Sequence, residues 1–248
     1  MKRYKNVPFL LVLIGCSLFA AGQPHRLIRT PTAGLLEHRY IDTQVEMLPD
    51  GEVLLYLNAG FFGRAQVGFS YGGFKILSYD HADFHPHVGF EVKARILDED
   101  INYPGVVLGI NTQGMGYYNL DLNRYQFKSL GPYLAVSKNW WALGGNAGIH
   151  GGINYTLETD DEESISFFVG GDKDYDNIAG ISFEYDLALA DFKKDNLYGE
   201  GRGYLNLGIW WQVSDNLRFD LIFLDLLQNQ ETNESFGRAF RVTFLSNY

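Results

Sequence analysis

Apolar and polar positions alternate along almost the whole chain beyond residue 38. In the clearest stretch, Ile181, Phe183, Tyr185, Leu187 and Leu189 interleave with Ser182, Glu184, Asp186, Ala188 and Ala190. A period of two puts each set on its own face of a β-strand. The same phase returns at Leu205, Leu207, Ile209, Trp211 and Val213, at Val88, Phe90, Val92, Ala94 and Ile96, and at Phe240, Val242 and Phe244 near the C-terminus. Polar residues fill the intervening positions, with Glu91, Lys93 and Arg95 in one strand and Arg241 and Thr243 in another.

Followed from end to end, the alternation predicts strands at 39-48, 52-61, 65-73, 86-97, 104-113, 128-139, 142-157, 164-173, 178-190, 203-214, 216-227 and 237-248. Their connections alternate in length. Those at 62-64, 98-103, 140-141, 174-177 and 215 are mostly short, and those at 74-85, 114-127, 158-163, 191-202 and 228-236 are longer. The tight Pro49-Asp50-Gly51 turn falls on the long-loop side as the one exception. An even strand count with short turns at one end and longer loops at the other is the pattern of an all-β, antiparallel up-and-down barrel of an outer membrane, both termini periplasmic. A soluble β-sandwich or barrel also alternates, and periodicity by itself does not say whether the apolar face looks outward or inward.

The first residues bear on that choice. Lys2, Arg3 and Lys5 precede an apolar stretch from Pro8 to Ala21 that is short for a membrane span, as in an export signal. Cleavage after Gly22 fits the small-residue rule and leaves residues 23-38 as an N-terminal segment and 39-248 as the barrel. A second route is open, because Leu13-Ile14-Gly15-Cys16 resembles a lipobox that would lipidate Cys16. Cys16 is the only cysteine, so no intramolecular disulfide forms. Without the signal the chain carries 17 bases against 30 acids. That balance excludes nucleic acid as a partner. Segment 23-38 lacks clear alternation and contains Pro24 and Pro31, which suits a periplasmic piece or one tucked into the lumen.

The run Arg29-Thr30-Pro31-Thr32-Ala33-Gly34-Leu35-Leu36 resembles the opening of YjbH-like outer-membrane proteins associated with exopolysaccharide. Phe90-Glu91-Val92-Lys93-Ala94-Arg95, Tyr133-Leu134-Ala135-Val136-Ser137-Lys138-Asn139 and His150-Gly151-Gly152-Ile153-Asn154-Tyr155 have a similar look. The resemblance covers one barrel unit and implies a part in exopolysaccharide secretion or envelope assembly, with envelope polysaccharide or its export components as partners. Outer-membrane lipid and the barrel-assembly machinery are partners expected of any such barrel.

If the apolar face meets lipid, the polar face directs Asp42, Glu46, Glu91, Lys93, Arg95, Lys138, Glu184, Asp186, Arg218, Asp220 and Arg241 into the lumen. Both signs occur, and mutual pairing is the expectation, since an unpaired charge in a narrow, partly dry lumen is costly. The alternative is a selective pore lined by these groups. Asp80, His81, Asp83, His85 and His87 contain reasonable metal ligands without an established metal spacing, and the expectation is an ordinary loop with no metal and no cofactor. Ser137, His150 and Asn154 supply the residue types of a nucleophile, base and orienting group, but no nucleophile motif surrounds Ser137, so no catalytic residue is assigned. Phe61, Phe62, Tyr117, Tyr118, Trp140, Trp141 and Tyr248 are placed for interfacial girdles. Three functions remain open: an exopolysaccharide-associated barrel, a structural or small-solute barrel, and a lipid-modifying barrel enzyme.

Overall fold

The computed structural model describes residues 23–79, 81–158, 165–191, 199–230 and 236–247. The signal, the lipobox at Cys16, Asp80 and Tyr248 lie outside them. The strands in chain order are β1 (Tyr40–Met47), β2 (Val53–Phe61), β3 (Ala65–Phe74), β4 (Asp83–Phe84), β5 (Gly89–Leu97), β6 (Gly105–Asn111), β7 (Met115–Asn119) and β8 (Arg124–Phe127). They continue with β9 (Gly131–Ala142), β10 (Gly145–Tyr155), β11 (Ile165–Tyr175), β12 (Ala179–Asp186), β13 (Tyr204–Ser214), β14 (Leu217–Leu224) and β15 (Gly237–Asn247).

Twelve of these form one closed antiparallel barrel. Each pairs with its neighbour, and β1 closes on β15 from Tyr40↔Asn247 to Met47↔Phe240. Closure leaves no sheet edge, which is how a β-structure satisfies its backbone inside a bilayer. All twelve predicted strands are present in the predicted order. The short β4 extends β3 at the loop end, while β7 and β8 form a separate hairpin within a stretch expected to be plain loop. The turn expected at 140–141 lies instead at Leu143 and Gly144, both with positive φ, and the two tryptophans stay in β9.

The phase of the alternation holds through the wall. Phe90, Val92, Ile181, Phe183, Ile209, Trp211 and Phe244 are exposed on the outer face, whereas Lys93, Glu184, Asn206 and Arg241 are buried inside. An outer face of large apolar side chains around a polar interior is the inverse of a soluble barrel, and it is the signature of a lipid-facing wall. Two expectations fail locally. β12 ends at Asp186, because Ala188 takes a positive φ of 47° and turns the chain inward into a buried apolar cluster. On β9 the inward positions are Tyr133, Ala135 and Ser137, so Lys138 has the outward parity and is not a lumen residue. Its flexible stem carries the ammonium to the carbonyls of Asp100, Ile101 and Tyr103 in a short turn at the barrel end.

Candidate functional site: the filled lumen and its mouth

Residues 24–36 run inside the barrel. Their tip is a small hairpin in which Arg26 bridges Pro31, Leu27 N–H donates to the Thr30 carbonyl, and Thr32 N–H donates to that of His25. Both legs return to the short-turn end: Gln23 Nε2 donates to Glu99 at 2.9 Å, and Leu36 and Glu37 lie against Gly60. A Cβ on Gly60 would sit 2.2 Å from the Glu37 carbonyl, so the wall needs glycine there for the chain to pass.

The wall charges face this segment more than each other. Glu184, fully buried, accepts the main-chain N–H groups of Ile28, Arg29 and Thr30 at 3.1, 3.0 and 2.8 Å, the Thr30 hydroxyl at 2.7 Å and Asn206 Nδ2 at 2.8 Å. Lys93, equally buried, donates to the carbonyls of His25, Thr32 and Gly34 at 2.5, 3.3 and 3.2 Å. Arg95 donates to the Ala33 carbonyl at 3.1 Å. Arg241 bridges the two modes, donating to the Ile28 carbonyl at 2.6 Å and to Glu46 at 3.1 Å. Charge-assisted bonds of this kind are roughly twice as strong as neutral ones, and several converge here on main-chain atoms of one short segment.

Direct pairing among wall residues is confined to part of the predicted set. Glu46 pairs with Arg241 and, at 3.4 Å, with Arg26 of the inner segment, and Arg218 grips Asp220 while lying over the Trp210 ring. Asp42 holds His25 at 3.3 Å and accepts Gln44 and Asn58. Glu91 accepts the Tyr133 hydroxyl at 2.9 Å, and Asp186 accepts Ser166 and the Ala188 N–H. The expected cross-strand neutralisation is thus largely replaced by solvation of buried charges with peptide dipoles.

Ser137 and His150 do come together, with His150 Nδ1 2.7 Å from the Ser137 hydroxyl, but the third member is Asp172 at 2.6 Å from His150 Nε2. Asn154 donates elsewhere, to the Leu130 carbonyl. Ser137 Oγ accepts the Ala33 N–H at 2.7 Å, so the row Asp172–His150–Ser137 ends on the inner segment. Sequence spacing missed Asp172, which β11 brings opposite β10 through the Gly148↔Asp172 register.

At the other end, the β7–β8 hairpin folds into the mouth and touches every other long-loop connection. Gly116 N–H donates to Glu52 at 2.8 Å, and the Tyr125 ring packs edge-on to His85 at 4.9 Å. Tyr125 N–H donates to Glu158 at 2.8 Å, Arg124 pairs with Asp191 at 2.6 Å, and Gln126 donates to Gln230 at 2.7 Å. Met115 and Phe127 of this hairpin join Ile28 of the inner segment in one buried cluster with Leu54, Tyr204 and Ile222. The tip of the inner segment therefore meets the base of the hairpin, where Met115 pairs with Phe127. A small cavity remains beside the contact, lined in part by Arg29, Gln113, Met115, Lys128 and Asn206.

Of the histidine tract, His85 is buried 3.5 Å from Glu52, while His87 is exposed against the Tyr118 ring. The described residues contain no group of three or more metal-ligating side chains. Burial pushes the Glu52 carboxyl up to about 8 and His85 down from its ordinary value. Among the expected girdle residues, Phe62, Trp140 and Trp141 are exposed near the short-turn end, but Tyr118 belongs to the mouth, stacked edge-on with Tyr125.

The closed twelve-stranded wall, its even count and its outward apolar face decide the location. The chain is an outer-membrane β-barrel of the Gram-negative type. No family model and no curated protein matches it. Among solved structures, a KdgM porin is 14% identical, with 84% of this chain and 99% of that one covered, at a TM-score of 0.46. A NanC porin is 12% identical over the same shares at 0.49. The outer membrane protein Omp33 of Acinetobacter baumannii is 9% identical, covering 86% and 99%, at 0.43.

Proposed function

We propose that this protein is an outer-membrane barrel that rests closed, and that small solutes cross it only when its inner segment is displaced. The observation that carries this reading is the meeting of two independent insertions, residues 24–36 from the short-turn end and the β7–β8 hairpin from the loop end, at the cluster around Ile28 and Phe127. Chain packed and hydrogen-bonded into the tube from both ends obstructs the path that solutes would take. Its immediate partners on this reading are outer-membrane lipid and, during insertion, the barrel-assembly machinery.

The exopolysaccharide role implied by the resemblance to YjbH-like proteins would be that of an accessory to export components, since a filled lumen does not suit a conduit for a polymer. A barrel enzyme is disfavoured, because Ser137 is buried and its oxygen is occupied by the Ala33 amide. Single-channel recording of the refolded protein tests the proposal. Near-silence is expected, with conductance appearing in Glu184→Ala. A large steady conductance from the wild-type protein overturns it. Current through the Glu184→Ala channel that is blocked by an added anionic glycan would favour the polysaccharide association over passage of small solutes in general.

A further inference from the structure

We propose that the lumen is a polypeptide-binding site, occupied in this structure by the chain's own residues 24–36, which it holds chiefly through the main chain and from which the occupant can leave as a unit toward the periplasm. This builds on the closed resting state described above.

Three observations converge. The first is what the wall addresses. The N–H groups of Ile28, Arg29 and Thr30 go to Glu184, that of Ala33 to Ser137 and that of Leu36 to Gln66. The carbonyls of His25, Thr32 and Gly34 go to Lys93, that of Ala33 to Arg95, and those of Leu27 and Ile28 to Arg241. Backbone amides are common to all sequences, so such a wall accepts a polypeptide as a chemical class. Specificity is added locally by His25 against Asp42, by the Arg26 guanidinium over the Tyr56 ring, and by Ile28 in its apolar pocket.

The second observation is that buried wall groups are left dependent on the occupant. Among the described residues neither Lys93 nor Glu184 forms an ion pair, so the segment's peptide dipoles are their principal compensation. An empty lumen would expose these charges to water or require another backbone in the same place. The third is topology. Both legs end at the short-turn rim, beside Glu99 and Gly60, so a hairpin inserted from that side withdraws without threading past the wall.

The test uses the full mature chain with a specific protease site inserted between the exposed His38 and Arg39. After refolding and cutting, the N-terminal fragment is expected to stay with the barrel through size exclusion in non-denaturing detergent. A labelled synthetic peptide of residues 23–38 is expected to exchange into its place. Arg29→Ala in the peptide should weaken exchange less than about threefold, whereas methylating the main-chain nitrogen of Arg29 or of Ala33 should weaken it by at least about tenfold, the loss of one charge-assisted or buried bond. In a Glu184→Gln barrel the penalty for methylating Arg29 should shrink while that for Ala33 persists, which separates a lost contact from a general backbone effect. Loss of the fragment on cutting, or equal exchange of methylated and parent peptides, overturns the proposal. An uncut protein that conducts freely while its cut form retains and exchanges the peptide would end the closed-barrel reading and leave the peptide site standing.

Discussion

The two insertions that fill this barrel are built from different chemistry. The inner segment is an irregular strip whose main chain is read by charged wall residues, with Glu184, Lys93 and Arg241 each serving two or more peptide groups. The mouth hairpin is regular secondary structure fixed largely by its own side chains, through a ring stack of His85, Tyr125 and Tyr118, an ion pair from Arg124 to Asp191 and a bond from Gln126 to Gln230. Two of its main-chain N–H groups, those of Gly116 and Tyr125, go to the carboxylates of Glu52 and Glu158. A segment held by its backbone can slide out intact once a few wall charges are hydrated. A hairpin anchored to five separate loops has to break contacts with all of them. The comparison assigns the mobile closure to the short-turn side and the fixed one to the loop side.

Four experiments break or sharpen that assignment. The largest effect is expected from Glu184→Ala, which strands three main-chain donors of the inner segment and should cost about 3 kcal/mol or more. Chemical unfolding of the refolded barrel measures it, and an unchanged midpoint would show that the segment contributes nothing to the folded state. Arg241→Ala should follow closely, at about 3 kcal/mol, because it leaves Glu46 under-compensated and two carbonyls without a donor. If Arg241→Ala alters ion selectivity but not stability, water already fills the lumen and the comparison collapses.

The wall itself gives an intermediate effect. Phe183 faces outward near the middle of β12 and Ser182 faces inward. An arginine at Phe183 should cost about 2–4 kcal/mol near the bilayer mid-plane and impair insertion into lipid vesicles. Phe69→Arg on β3 should behave alike, since both substitutions disturb the scaffold common to the two closures. Insertion at parental yield would mean that the outward apolar face does not meet hydrocarbon.

The smallest effect concerns the mouth and pH. Burial raises Glu52 from an ordinary 4.5 to about 8 in the closed mouth and lowers His85 below its ordinary 6.5. Taken alone, Glu52 stabilises closure fully below about 4.5, and that contribution is lost as pH rises to 8. His85 acts with the opposite sign, losing its contribution as pH falls below 6.5. Below 6.5 the two slopes oppose each other. From 6.5 to 8 the closed state holds one more, so closure weakens across that window and levels off above it. Hydrogen exchange of the Gly116 amide as a function of pH reads this directly. Glu52→Gln should flatten the slope between 6.5 and 8, and a slope that survives the substitution would assign the titration to another group.

Local sequence determined the wall. A period of two needs no distant partner to declare itself, so the twelve strands, their faces and the contrast between short turns and long loops were legible, and Lys93, Glu184 and Arg241 are buried in the described structure. Parity also marks where that reading failed: Lys138 is one residue out of phase with Ser137, and its charge suggested a lumen position that the pleat denies. Tertiary structure decided what the interior charges do. Glu184 meets residues more than 150 positions away, and the groups that it meets are peptide N–H groups, which every residue but proline carries and no sequence distinguishes. The same holds for Lys93 on its three carbonyls, for Asp172 beneath His150, and for a hairpin whose short strands, Met115–Asn119 and Arg124–Phe127, are fixed by the five loops around them rather than by their own periodicity.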